Sequence, residues 1–154
     1  MSSRLFQEIR ERQGLAYSVY SFLSAYVDTG VLGVYVGTGT SELNRVLEII
    51  HREIKKIQQG GISQSDLDDA REHLLGSILL GSESTDTRMM RLAKNEYVFG
   101  KYLSYEDLAS DLDRVTVDDI ITVARETFKN DQVTLVTLGP PEIGDLDLGS
   151  ISFS

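Results

Sequence analysis

No cysteine occurs anywhere in this chain. That excludes disulfides, thiolate zinc sites, iron–sulfur ligation and cysteine nucleophiles. Histidine is nearly as scarce, at two residues. Positive charge is also in short supply, with 15 Lys+Arg against 24 Asp+Glu and a net charge of -9. A net acidic chain without a basic cluster is poorly built to grip phosphate backbones, so nucleic acid is not an expected partner. No apolar run is long enough to cross a bilayer, so no membrane partner is expected, and no charged-then-apolar leader ends at a cleavage site. What is present is ordinary for a globular protein: 154 residues, 41% apolar and 25% charged, enough for one domain with a core.

The spacing predicts a helix over residues 3–13, with Leu5 and Ile9 four apart and Phe6 beside them. Gly14 can end it in the left-handed conformation. A β-rich run LAYSVYSFLSAYV, a turn at Asp28-Thr29-Gly30 and a return run VLGVYVG read as a hairpin. Thr40 or Ser41 can cap the next helix, whose apolar stripe is Leu43, Val46, Leu47, Ile50, Ile54 and Ile57. After Gly60-Gly61, Ser63 or Ser65 caps a helix to about Leu80, with Leu67, Ala70, Leu74 and Ile78 on one face. Helical stretches follow near 85–99 and 105–112, and Thr116 caps another to Phe128. Gln132 to Leu138 reads as a strand.

The expectation is an α+β domain over residues 1–140, a mixed or antiparallel sheet of hairpin plus C-terminal strand packed against several helices. A loosely ordered acidic tail is expected at 141–154. Three strands make a narrow sheet and the chain opens inside a helix, so earlier strands are expected to be lacking.

No catalytic set assembles from local motifs. Asp69-Ala70-Arg71-Glu72-His73 approaches the inverted zinc motif His-x-x-Glu-His, but Asp69 stands where the first histidine belongs. It reads as the surface of an amphipathic helix. Gly37-Thr38-Gly39-Thr40 lies between strand and helix, yet Glu42 occupies the third glycine position of G-x-G-x-x-G, so it reads as a tight connection. Arg10 and Tyr17 flank the Gly14 break. A helix turning into a strand there can bring guanidinium and phenol to one mouth, two donors suited to a peptide carbonyl or its oxyanion.

The stretch MSSRLFQEIRERQGLAYSVYSF resembles the C-terminal-domain signature of M16 (pitrilysin/insulinase-like) zinc peptidases. The strand ending in Gly-Thr, the Asp66–Leu80 helix, the Ser84–Arg88 segment, Val115-Thr116-x-x-Asp119 and the closing Leu-Gly-Pro agree more loosely. The resemblance implies two similar halves closing on a peptide substrate. Zinc is expected in the N-terminal half of the parent protein, and no metal or other cofactor in this one. It also implies that Arg10 and Tyr17, with Phe6 beside them, contact the substrate carbonyl. The expected partners are that zinc-binding half, a peptide and further copies of the chain through an incompletely covered sheet. The alternative is a non-catalytic scaffold of the same fold, like the core subunits of a respiratory complex. A third reading is a domain that pairs its hairpin edge with an extended peptide.

Overall fold

The structure is a computed structural model, which describes residues 3–140 and Phe153. The chain forms two compact units, Met1–Gln59 with Thr122–Ser154, and Gly60–Ile121.

In the first unit a short helix leads into a hairpin, β1 (Ala16–Ala25) and β2 (Gly30–Thr38), paired antiparallel. Helix α1 (Leu43–Gln58) packs behind it. The core is small: Ile9, Ala16, Val19, Val46 and Ile49, with Leu5, Phe6, Leu15, Val36 and Ile50 against it. The opening helix is a π-helix over Phe6–Arg12, closed by the Leu15 N–H donating to Ile9 O at 2.9 Å. Gly14 follows at φ 64°, the left-handed position expected of it. At Gly33 the ring of Phe22 lies where a Cβ would stand, so a larger residue there would have to displace that exposed ring.

Helix α1 departs from expectation at its start and along its buried side. Neither Thr40 nor Ser41 caps it; a 3-10 turn, Thr40–Glu42, precedes it with no side-chain cap. Ile49, outside the expected stripe, is fully buried, because the buried side runs through Val46, Ile49, Glu53 and Ile54. Glu53 is tolerated there because Lys56 and Arg52 donate to its carboxylate at 2.7 and 3.2 Å.

The C-terminal segment also differs. After the 3-10 turn Asn130–Gln132, residues 133–138 run without sheet pairing, and Val136 and Leu138 are exposed. The α+β class holds, with a sheet of two strands rather than three. An apolar extended segment becomes a strand only where a free edge meets it, and among the described residues none does so. The expected tail, 141–154, lies outside the described residues apart from Phe153. That residue is buried against His51 and Phe128, and its N–H donates to Asn130 Oδ1 at 2.7 Å.

The second unit is helical: α2 (Gln64–Gly81), α3 (Thr85–Phe99), α4 (Tyr105–Arg114) and the first turns of α5 (Val117–Thr127). Ser63, not Ser65, caps α2 through a reciprocal pair with Asp66. On the face expected to be apolar and covered only Leu67 is buried; Leu74 is exposed. Apolar residues occur around much of α2, and the unit has too few elements to cover them all. Arg71 fastens α2 to α4, donating to the carbonyls of Leu112, Asp113 and Val115 that the end of α4 leaves over.

Two further capping boxes carry a pH signature. Ser104 pairs with Asp107 and Thr116 with Asp119. The Ser104 backbone N–H chiefly lowers the pKa of Asp107, and the Thr116 hydroxyl chiefly lowers that of Asp119. Folding therefore favours the ionised carboxylates. Their contribution is present above the unfolded value of about 3.9 and is lost as pH falls through the lower folded values. Thermal melting from neutral pH down to about pH 3 should fall less steeply for the Asp107→Asn/Asp119→Asn double variant than for the parent. Parallel curves would remove the capping boxes from the acid response.

Candidate functional site

The π-helix and the start of β1 bring Phe6, Arg10 and Tyr17 together. The Arg10 Cζ lies 5.0 Å from the Phe6 ring centroid and 4.9 Å from that of Tyr17. Two aromatic faces thus hold one guanidinium. Arg10 Nη1 also donates to the Tyr17 carbonyl at 2.8 Å. The guanidinium has five donors in all, and among the described residues its one acidic partner, Glu11, stands off at 3.8 Å.

The strand register explains why Tyr17 projects. Ala16 pairs with Thr38 and Ser18 with Gly37, so β1 advances two residues while β2 advances one. Tyr17 is the extra residue of this β-bulge. Bulges twist a strand and re-aim a side chain, and are common beside functional sites. Tyr17 is 81% exposed, and its hydroxyl has no hydrogen-bond partner among the described residues. The Thr38 hydroxyl anchors the bulge by donating to Leu15 O at 2.6 Å. The π-helix adds a second irregularity at the same place, one that in helices often accompanies a functional site.

Charges on the far side of the π-helix fix its position. Glu8 accepts from Arg12 at 2.5 Å and lies 3.6 Å from Arg52 of α1. The Arg12 hydrogen bond, assisted by Arg52, holds the Glu8 pKa below the ordinary carboxylate value.

The sequence pointed to Phe6, Arg10 and Tyr17; it gave no sign of the bulge or of Thr38. The hydroxyl between a strand end and a preceding loop leaves no periodic trace. The Asp69–His73 near-motif lies within α2. Arg71 is spent on α4, and His73 accepts from Ser77 through its carbonyl. Among the described residues no three His, Asp or Glu side chains are gathered as a metal site needs, so this donor set does not fit zinc.

Residues 1–74 match the family described as "Peptidase M16 inactive domain". The chain is 40% identical over 131 residues to an uncharacterized zinc protease, YmxG, of Bacillus subtilis, covering 85% of this chain and 32% of that protein. It is 40% identical over 140 residues to an uncharacterized zinc protease of Streptomyces coelicolor, covering 91% of this chain and 30% of that protein. The chain thus spans about a third of the length of these relatives. Among solved structures, a conserved protein of Enterococcus faecalis superposes with a TM-score of 0.67 at 26% identity, over 80% of this chain and 28% of the other. The periplasmic protease PqqL of Escherichia coli shares the fold, with a TM-score of 0.57 at 19% identity over 79% and 14% of the two chains.

Proposed function

Since this chain belongs to the M16 peptidase family and carries part of its inactive C-terminal domain, we propose that it supplies the substrate-holding part of a zinc-dependent endopeptidase. The observation that supports this reading is the cluster of Arg10 between Phe6 and Tyr17, with an unspent phenol hydroxyl. The partners are a zinc-bearing N-terminal half and an extended peptide. Tyr17 and Arg10 donate hydrogen bonds to the carbonyl oxygen of the bond to be cut. Phe6 keeps the guanidinium in line and covers one side of it. Both donors serve an oxygen that gains negative charge, so they act most strongly when the charge is greatest. A scaffold would have no use for a solvent-facing hydroxyl poised beside a fixed guanidinium.

Hydrolysis of a quenched peptide should require both halves. This chain alone should cut nothing and retain no stoichiometric zinc after purification in zinc-containing buffer. The zinc half alone should be nearly inactive, and the two together should be active and chelator-sensitive. Full activity of the zinc half by itself would defeat the proposal.

The hairpin leads to a second expectation. A two-stranded sheet is marginal in water, and here Tyr20, Leu23, Val31, Leu32 and Tyr35 are all exposed. Free strand edges and open apolar faces pair with other chains. The chain by itself should therefore form a dimer or larger species whose proportion rises with concentration in sedimentation experiments. A monomer at every concentration would contradict this.

A further inference from the structure

The second unit contains a cavity of about 280 Å³, lined among others by Ile78, Ser82, Thr87, Arg88, Arg91 and Tyr105. It sits where the end of α2, the start of α3 and the start of α4 meet. Arg91 is held firmly: Nη2 donates to Leu103 O at 2.7 Å, and Cζ lies 4.1 Å from the Tyr105 ring centroid. Arg88, three residues earlier on α3, shares that face of the helix. Neither arginine forms an ion pair among the described residues, and no carboxylate lines the cavity.

This is unusual for the chain. It carries nine more acidic than basic residues, and elsewhere in the same unit Arg71 is paired with Asp68 and Arg114 with Asp111. Two like charges one helical turn apart repel, so leaving both unneutralised destabilises α3. The Tyr105 phenol is held below its ordinary pKa, chiefly by the Ser82 hydroxyl and then by Arg91 and Arg88.

We propose that this cavity binds a peptide carboxylate, either a chain terminus or an acidic side chain. Guanidinium forks match the two oxygens of a carboxylate. The hydroxyls of Thr87 and Tyr105 offer further hydrogen bonds, whereas that of Ser82 donates to Leu79 O at 2.5 Å. Ile78 and the Thr87 methyl give the aliphatic stem of such a group an apolar wall. The volume lies just below the range of about 300–1,000 Å³ typical of whole-ligand pockets, which suits one side chain or chain end. The site lies in the other unit from Arg10 and Tyr17 and does not depend on their role.

The test uses the full chain labelled for observation of arginine Nε–H signals by NMR. N-acetyl-alanine supplies only a terminal carboxylate, and N-acetyl-glutamate N-methylamide only a side-chain one. At least one should shift the Arg88 and Arg91 signals saturably, with a Kd on the order of 1 mM, and the stronger of the two identifies the source. Arg88→Gln should weaken it by roughly tenfold, the loss of one charge-assisted hydrogen bond. Thermal melting should not fall, because Arg88 is exposed and ties nothing together, and its loss relieves the repulsion with Arg91. Tyr105→Phe should weaken binding as well. Failure of both carboxylates to saturate, Arg88→Gln binding like the parent, or inorganic phosphate binding more tightly than either would each overturn the proposal.

Discussion

Replacing Tyr17 by phenylalanine in the assembled enzyme should lower kcat by about 10²–10³-fold, the usual effect of losing one preorganised donor to a developing oxyanion. The substitution removes one oxygen and leaves the ring against which Arg10 Cζ lies at 4.9 Å. The Arg10 bond to the Tyr17 carbonyl involves only backbone on the tyrosine side, so it survives too. The hydrogen bond is therefore separated from packing and from the bulge. An interaction that strengthens as charge develops lowers kcat and kcat/KM together and leaves KM nearly constant. Arg10→Lys keeps the charge but loses the planar fork, the stacking on two rings and the tie to Tyr17 O, so it should not restore normal rates. Zinc content should be unaffected in both, because neither residue is a zinc donor and no donor set for it is gathered among the described residues. The measurement is steady-state kinetics on one defined peptide, with thermal melting as the control. Near-normal kcat/KM in both variants would make the cluster structural.

The three residues of this cluster were legible in the sequence because the signature that carries them is local and continuous. Residues 3–17 encode a helix, a left-handed glycine and a strand start, and each of those is written in residue type. The hairpin turn and the Thr116 cap were legible for the same reason, with Ser63 one of two candidates for α2, because a serine or threonine three residues before an aspartate acts within one turn; the Ser104–Asp107 box was not read. What escaped detection depends on partners far along the chain. The bulge at Tyr17 is a mismatch between β1 and β2, visible only when both strands are paired. Burial of Ile49 rather than the neighbouring stripe reflects the angle at which α1 meets the hairpin. Glu53 is buried because Arg52 and Lys56 reach its carboxylate, a solution that a hydrophobicity pattern registers as an error. Residues 133–138 have strand composition but run unpaired, and composition alone cannot place a segment against an edge.

The same long-range packing makes Ile9 the residue on which fold and site both depend. Ile9 is fully buried in a core whose other buried members among the described residues are Ala16, Val19, Val46 and Ile49. It precedes Arg10 directly, and its carbonyl accepts the Leu15 N–H that closes the π-helix. Ile9→Ala should cost about 2–5 kcal/mol, the removed side chain's transfer energy plus the cavity left behind. Against a total of about 5–15 kcal/mol for an ordinary domain, that is a large fraction. A core this small has few neighbours able to move in, which places the expected loss toward the upper part of the range. Ile9→Val removes one methylene and should cost about 0.5–1.5 kcal/mol. Urea unfolding followed by far-ultraviolet circular dichroism gives both values. Activity should separate them as well. In Ile9→Val the helix keeps its register, so Arg10 stays between Phe6 and Tyr17 and kcat is preserved. In Ile9→Ala the helix is no longer pinned, the guanidinium loses its alignment with Tyr17, and kcat falls even where most molecules remain folded. If Ile9→Ala unfolds within about 1 kcal/mol of the parent, the core described here does not hold the π-helix. Alignment of the site would then have to come from the Glu8–Arg52 contact instead.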